Sequence, residues 1–343
     1  MASIERVERP LALTIGDPAG IGPDIALGAF AARKREQIPL FVLIGDPAVL
    51  TARARALGLD APLAVVSEIG EGSSRFPDAL PVLPILGPGE VRAGRPDRAA
   101  APLITRSIER AVALAEAGTA RAVVTNPIAK SVLYGAGFGF PGHTEYLAAL
   151  ASPKGKPPHP VMMLVGPSLK AVPVTIHVPL KEVPGLLTRA LIVKTIATTA
   201  EGLERYFGIA RPRLAVSGLN PHAGEEGSMG REETDVIAPA IADARAIGLD
   251  ATGPYPADTM FHEAARATYD AAICMYHDQA LAPFKTLAFE EGVNVTLGLP
   301  FIRTSPDHGT AFALAGTGKA SPRSLIEALK LAAAMSAHAE ARA

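Results

Sequence analysis

The sequence predicts an α/β protein with a mostly parallel sheet system covered by helices. Three observations predict it. Short apolar runs of β type alternate with longer stretches of helical type. The first run, Leu11–Ile15, enters the turn Gly16-Asp17-Pro18-Ala19-Gly20-Ile21-Gly22-Pro23 and then a helix, which is the opening unit of that class. Gly (32) and Pro (31) are plentiful but spread along the chain, as many tight connections require.

The elements follow in order. A helix spans about Asp24 to Arg35, and Leu40–Ile44 is a second strand ending in Gly45-Asp46-Pro47. Residues 67–100, rich in Gly, Pro and Ser, read as a long connection or insertion. Ala101–Ala117 is a helix leading into the strand Ala122–Thr125, which Asn126-Pro127 ends. Strands Val161–Val165 and Ala171–His177, helix Leu191–Phe207, strand Arg213–Ser217, helix Thr234–Ile247 and strand Ala271–Met275 continue the alternation. Leu325–Ala341 is Ala-rich and helical, and no internal repeat is visible. No clean linker divides the chain, so two domains would share it discontinuously.

The 343 residues suffice for two ordinary domains or one large one. At 48% hydrophobic and 20% charged, the chain can bury a substantial core. Lys plus Arg number 33 against 34 Asp plus Glu, a net charge of -1. That balance argues against a general nucleic-acid binder or a polybasic membrane protein. No 18-residue apolar run and no secretory leader are visible, and the single cysteine, Cys274, cannot build a disulfide framework. The expected compartment is the cytoplasm. Cys274 lies in an apolar run and reads as a buried small hydrophobe rather than a nucleophile.

Of eight histidines, His177, His222 and His277 stand at or just past the ends of apolar strands. Sites in open α/β sheets collect outside the carboxyl ends of strands. Three neutral imidazoles there suit zinc, cobalt, nickel or iron(II) and leave a coordination position open, although their spacing matches no local zinc motif. The loop Gly16–Pro23 is either a tight turn or a backbone approach to a phosphate, and it is neither a Rossmann fingerprint nor a Walker A loop. In Gly142-His143-Thr144-Glu145, His143 or Thr144 either caps the helix Glu145–Leu150 or binds an anion at its start. Lys285, Asn294 and Arg303 lie on expected loops or strand ends among apolar residues, a setting that suits carboxylate or phosphate binding as well as surface charge.

Longer motifs narrow the choice. Gly16–Pro23, Thr125-Asn126-Pro127, Gly142-His143-Thr144-Glu145, Thr175-Ile176-His177, Leu219-Asn220-Pro221-His222-Ala223-Gly224-Glu225, Tyr276-His277-Asp278-Gln279 and Thr296-Leu297-Gly298-Leu299-Pro300 resemble the 4-hydroxythreonine-4-phosphate dehydrogenase family of pyridoxal 5'-phosphate biosynthesis. The resemblance runs from about residue 11 to residue 330. It implies two α/β/α domains of the isocitrate and isopropylmalate dehydrogenase type, with the active site in the cleft between them. The NAD-binding domain would comprise residues 1–125 and 310–343. Residues 126–309 would carry metal binding, substrate binding and dimerisation. His177, His222 and His277 correspond to ligands of one divalent metal (zinc, cobalt or magnesium) in a site shared across a homodimer. His143, Thr144, Lys285, Asn294 and Arg303 correspond to substrate-binding positions. His308-Gly309-Thr310-Ala311, with Ala315-Gly316-Thr317-Gly318 after it, resembles the NAD adenine loop of that wider group, which makes His308, Gly309 and Thr310 cofactor candidates.

The implied reaction is metal-dependent oxidation of 4-phosphohydroxy-L-threonine by NAD or NADP. The resulting β-keto acid loses CO2 to give 3-amino-2-oxopropyl phosphate. Lys285 and Asp258 are the acid–base candidates. Three alternatives stand beside it: a dehydrogenase for 4-phosphothreonate or 4-phosphoerythronate, a phosphate-handling acyltransferase, and a non-catalytic sugar-phosphate or metal binder. No feature points to a nucleic-acid or membrane role.

Overall fold

In the computed structural model, residues 8–342 are described except 141, 153, 154 and 156. The N-terminal start read above for a leader lies mostly outside the described residues. The strands are Leu11–Thr14 (β1), Phe41–Gly45 (β2), Leu63–Val65 (β3), Leu80–Pro84 (β4), Ala122–Val124 (β5), Val161–Val165 (β6), Lys170–Pro173 (β7), Arg213–Ser217 (β8), Asp250–Tyr255 (β9), Ala271–Cys274 (β10), Val293–Leu297 (β11) and Arg303–Pro306 (β12). They fall into two compact units. One holds the described residues through His159 together with Leu299–Ser336, and the other holds Pro160–Gly298 and the residues from Ala337 on.

In the first unit the strand order is β3-β4-β2-β1-β5-β12, and every pairing is parallel. The chain runs outward from β1 through β2, then restarts on the other side with β5, so the order reverses between β1 and β5. That reversal is a topological switch point, where the loops leaving two neighbouring strands diverge. β1, β2 and β5 are buried throughout, as a parallel sheet covered on both faces requires. The helix Ala101–Glu116 lies against β1, β2 and β5, and its buried Ser107 hydroxyl donates to Ile44 O (2.6 Å) and accepts from Ile15 N (3.2 Å). A polar side chain thus ties the helix to the ends of two strands without leaving an unmade hydrogen bond.

The helix Gly22–Ala32 starts with Pro23 in its first turn, as the missing proline N–H permits. The loop before it is held by the buried guanidinium of Arg53, from the helix Pro47–Leu57. Arg53 donates to Pro18 O (3.0 Å), Gly20 O (2.9 Å) and the Asp24 carboxylate. Asp24 also accepts from Gly316 N (2.7 Å).

The second unit has the order β11-β6-β7-β10-β8-β9. β6 runs antiparallel to β11 and β7, while β7, β10, β8 and β9 are parallel. The helix Arg189–Phe207 is capped by Thr188, whose hydroxyl accepts from Leu191 N, and ends at Gly208 in the left-handed region (φ 70°). Leu164, Ala171, Cys274, Ala280 and Phe284 form part of this unit's core. Cys274 is fully buried, and burial pushes its thiol up to about 12, so it is a packing residue. Among the described residues no helix is long and apolar enough to cross a membrane.

Several expectations need correction. The stretch 67–100 is not a bare connection: it carries β4, which pairs with both β2 and β3. Pro81 and Pro84 disguise this strand. β7 ends at Pro173 rather than His177, and His177 itself has φ 53°. Lys285 lies within the helix His277–Leu287, not on a loop. The units divide after His159 and Gly298. The described residues of 126–159 and those of 299–309 lie with the first unit, in which β12 pairs in parallel with β5.

Replacing Arg53 by Met should strand the Asp24 charge in the interior and cost about 3–5 kcal/mol in urea unfolding of the full chain. Adding Asp24→Asn to that variant should return part of the loss. An Arg53→Met chain as stable as the parent would show that this pair does not hold the loop.

Candidate active site

β7, β10 and β8 are neighbours running in parallel, so their carboxyl ends share one edge of the second unit. The segments leaving those ends carry His177, His277 and His222. Pairing of the first two segments continues past the strands: Val174 N donates to Cys274 O (2.7 Å), and Thr175 donates to Met275 O through both its N–H (3.2 Å) and its hydroxyl (2.8 Å). This brings the rings of His177 and His277 to 5.6 Å between centroids. A pocket of 320 Å³ opens there, lined by Thr175, His177, Val178, Tyr276, His277 and Asp278 among others.

His277 is the first residue of its helix, and its Nδ1 lies 2.7 Å from Asp278 Oδ1. A proton on Nδ1 shared with that carboxylate leaves the Nε2 lone pair outward, the arrangement that second-shell carboxylates give metal-binding imidazoles. Beneath it, buried Gln279 clamps two strand ends. Its Oε1 accepts from Met275 N (2.6 Å) and the Ser217 hydroxyl (2.8 Å), and its Nε2 donates to Gly218 O (2.8 Å).

His222 is placed differently. It opens a run, His222–Glu226, in which every φ is positive (54°, 53°, 78°, 41° and 57°). Glu233 anchors this turn from below. One oxygen of its buried carboxylate accepts from Leu219 N and Asn220 N, both at 2.7 Å, and the other accepts from Asn220 Nδ2 (3.0 Å). A Cβ at Gly224 would come within 2.5 Å of Glu233 Oε2, so the close approach requires glycine. The turn leaves His222 exposed. Among the described residues no three His, Cys, Asp or Glu side chains are gathered as a metal site. His177 and His277 are brought together with donors that fit a borderline divalent ion, and His222 stands on the neighbouring strand's loop without completing the set.

The other expected residues of this unit are more dispersed. Lys285 lies two turns along the His277 helix, with its ammonium 5.3 Å from the Phe289 ring centroid. Asn294 sits half-buried in β11 opposite Leu164. Asp258 is exposed on the turn Ala257–Thr259 after β9.

A second polar cluster surrounds the switch point of the first unit. Asn126, just past β5, donates to Thr14 Oγ1 through its backbone (3.2 Å) and to Thr14 O through its side chain (2.9 Å). Gly16 (φ 72°) sits so close that a Cβ would meet Pro127 O at 2.6 Å. Asp17 is fully buried; Oδ1 accepts from Ala19 N (3.0 Å), and burial raises its pKa. Asn126 Oδ1 and Asp17 Oδ2 are buried without a hydrogen-bond partner among the described residues.

Arg303, at the start of β12, donates from Nε (3.2 Å) and Nη2 (2.7 Å) to the Thr125 hydroxyl. Burial lowers its pKa to about 10, which still leaves it charged at neutral pH. His143 is the first residue of the helix His143–Leu150, and neither it nor Thr144 caps that helix. Its Nε2 is buried without a hydrogen-bond partner among the described residues. Burial first, and the Arg303 charge second, hold its pKa well below the usual histidine value. The cluster therefore combines a fixed cation with a neutral imidazole. Thr310 O accepts from Ile21 N (3.0 Å), and a Cβ at Gly20 would come within 2.9 Å of it. His308, Gly309 and Thr310 thus adjoin the glycine-rich loop at the start of the helix Gly22–Ala32.

Thr125, Asn126, Gln279 and Asp278 appeared in the sequence only as letters of longer motifs, and Glu233 and Asp17 received no role. Their common signal is a polar residue just after an apolar strand, or one spaced to face such a residue.

The profile of the family described as "Pyridoxal phosphate biosynthetic protein PdxA" matches residues 37–332. A protein of Bradyrhizobium diazoefficiens named 4-hydroxythreonine-4-phosphate dehydrogenase is 58% identical over 337 residues, covering 96% of this chain and 97% of that one. A protein of the same name from Caulobacter vibrioides is 52% identical, covering 96% and 98%. The crystal structure of the Klebsiella pneumoniae 4-hydroxythreonine-4-phosphate dehydrogenase matches with a TM-score of 0.84 and 38% identity, covering 96% of this chain and 100% of that one. A terephthalate 1,2-cis-dihydrodiol dehydrogenase from Burkholderia xenovorans matches with a TM-score of 0.63 and 29% identity, covering 95% and 98%.

The His143 ring should stay neutral as pH falls from 8 to 6, with no movement of its imidazole resonances in NMR. Since its folded pKa lies below the unfolded value near 6.5, the unfolded chain binds the extra proton first. The resulting stability loss begins as pH drops through about 6.5, and His143→Gln should remove that component from the pH dependence of urea unfolding. A His143 titration near pH 6.5 would contradict the buried, cation-facing placement.

Proposed function

Since the chain belongs to the PdxA family of pyridoxal phosphate biosynthetic enzymes, we propose that it oxidises 4-phosphohydroxy-L-threonine with NAD or NADP in a divalent-metal-dependent reaction. The product loses CO2 to give 3-amino-2-oxopropyl phosphate. The observation that carries this reading is the His177–His277 pair at the carboxyl ends of β7 and β10, with Asp278 on the His277 ring. It supplies two of the donors a metal-assisted dehydrogenase needs, in a chain whose relatives bear that enzyme's name.

A zinc, cobalt or magnesium ion held by these two histidines and His222 would supply the positive charge that lowers the pKa of the substrate hydroxyl and favours the later enolate. Asp278 fixes the His277 tautomer, and Gln279 fixes the strand ends from which the His277 helix starts. Arg303, with two donors turned to Thr125, offsets phosphate or carboxylate charge. His143 offers an uncharged Nε2 to a substrate hydroxyl, and Thr144 and Asn294 add neutral polar contacts. A bound nicotinamide would supply the acceptor for the hydride of C3, and the hydroxyl proton leaves to a base. The bond to the carboxylate then breaks, its electron pair forms the enolate, and carbon takes a proton. We assign that proton traffic to Lys285, with Asp258 as second candidate. His308, Gly309 and Thr310, beside the loop Gly16–Pro23, would hold the cofactor.

Two further assignments belong to the same proposal. The enzyme is a cytoplasmic homodimer, and a partner subunit completes the metal site. The exposure of His177 and His222 supports a site finished by another chain.

NADH or NADPH formation with 4-phosphohydroxy-L-threonine should appear at 340 nm, stop after chelation and return with metal. His177→Ala and His277→Ala should abolish it. Asp278→Asn should cost about 10–100-fold in metal affinity or turnover. Reduction seen only with 4-phosphothreonate or 4-phosphoerythronate would keep the metal chemistry and refute the substrate. Metal-independent turnover would refute the role of the histidines.

A further inference from the structure

Away from both clusters, the first unit has a cavity of 520 Å³ beside the ends of β3 and β4. Val66, Leu83 and Ile85 form an apolar wall, and Ser67, Arg106 and Arg110 line it with polar groups. Val66 and Ser67 directly follow β3, Leu83 is the next-to-last residue of β4, and Ile85 directly follows β4. The cavity is thus at the carboxyl side of parallel strands, the side on which open α/β sheets take ligands. Its volume falls in the range of about 300–1,000 Å³ usual for small-molecule sites.

Arg106 and Arg110 stand one turn apart on the helix Ala101–Glu116 and so share a face. Like charges at that spacing repel. Neither makes a hydrogen bond or ion pair among the described residues. Glu109 also borders the cavity, but its carboxylate accepts from the Tyr146 hydroxyl at 2.7 Å. Two exposed guanidinium groups thus border a cavity with one apolar wall, against the single carboxylate of Glu109, and neither is ion-paired among the described residues. Guanidinium forks match the oxygens of phosphate, and a doubly charged phosphate matches two of them.

We propose that this cavity binds a phosphate monoester through Arg106 and Arg110, with the organic part of the ester against Val66, Leu83 and Ile85. The ester is either a free organic phosphate or the phosphorylated part of a dinucleotide. This inference does not depend on the assigned reaction, since none of these residues belongs to the proposed catalytic or substrate-binding set.

The test is arginine-selective modification of the full chain by phenylglyoxal, read residue by residue by mass spectrometry. Adenosine monophosphate and phenyl phosphate should slow modification of Arg106 and Arg110 while leaving exposed Arg55, outside the cavity, unchanged. R106Q/R110Q should bind one fewer equivalent of ester per chain in calorimetry. Protection by the monoesters alone assigns a free organic phosphate. Equal protection by NAD or NADP assigns the dinucleotide. Protection by inorganic phosphate but by no ester, equal slowing at Arg55, or no slowing at all would overturn the proposal.

Discussion

The buried guanidinium of Arg53 is the constraint on which the first unit's working edge depends. A turn with Pro18, Gly20 and Gly22 within five residues has many conformations open to it. Arg53 selects one by taking the carbonyls of Pro18 and Gly20 and the carboxylate of Asp24. Asp24 then holds Gly316. The selected conformation puts Ile21 N on Thr310 O and Asp17 N on Pro127 O. Loops from three separate parts of the chain thereby meet at one edge of one sheet. A buried ion pair is seldom a large net source of stability against a hydrophobic replacement. Its value here lies in specifying a loop that apolar packing alone would leave loose.

The second unit solves a similar problem with amides and carboxylates rather than a cation. Gln279 offers an acceptor and a donor at once, so it can bind strand ends of both polarities. Glu233 offers only acceptors, and it collects the N–H groups of Leu219 and Asn220, just before the left-handed run. The two units also differ in charge. Around the switch point, burial keeps His143 neutral, while Arg303 stays charged although burial lowers its pKa to about 10. At the histidine pair, the nearest charge is the Asp278 carboxylate. The first arrangement suits an anion and the second a cation.

Much of this was legible in the residues. The β1–turn–helix opening, the buried strand around Cys274 and the strand-end positions of His177 and His277 follow from apolar runs and the punctuation after them. Other parts were obscured for identifiable reasons. β4 carries two prolines, tolerable because its neighbours still supply the ladder, yet proline in a short run reads as a loop. The helix His277–Leu287 contains Pro283, which argues against a helix on propensity alone. His222 looked equivalent to the other two histidines because it follows a strand of the same type. It differs in opening a left-handed turn that Glu233, a residue eleven positions later, anchors from below, and long-range carboxylate capping leaves no periodic trace. The family resemblance rested on motifs, and motifs record which residues occur without recording the backbone conformation of the turns that carry them.

Asn126 and Asn220, the two amides at the strand-end turns, share a further property. Each is followed by a proline, Pro127 and Pro221. Asparagine usually ages by attack of the next residue's backbone nitrogen on its own side-chain carbonyl, and a proline has no N–H to make that attack productive. Asn126 donates to Thr14 O and Asn220 donates to Glu233, contacts that a carboxylate in their place could not make. The same prolines that end these segments thus close the easiest chemical route by which both turns would wear out in an old molecule.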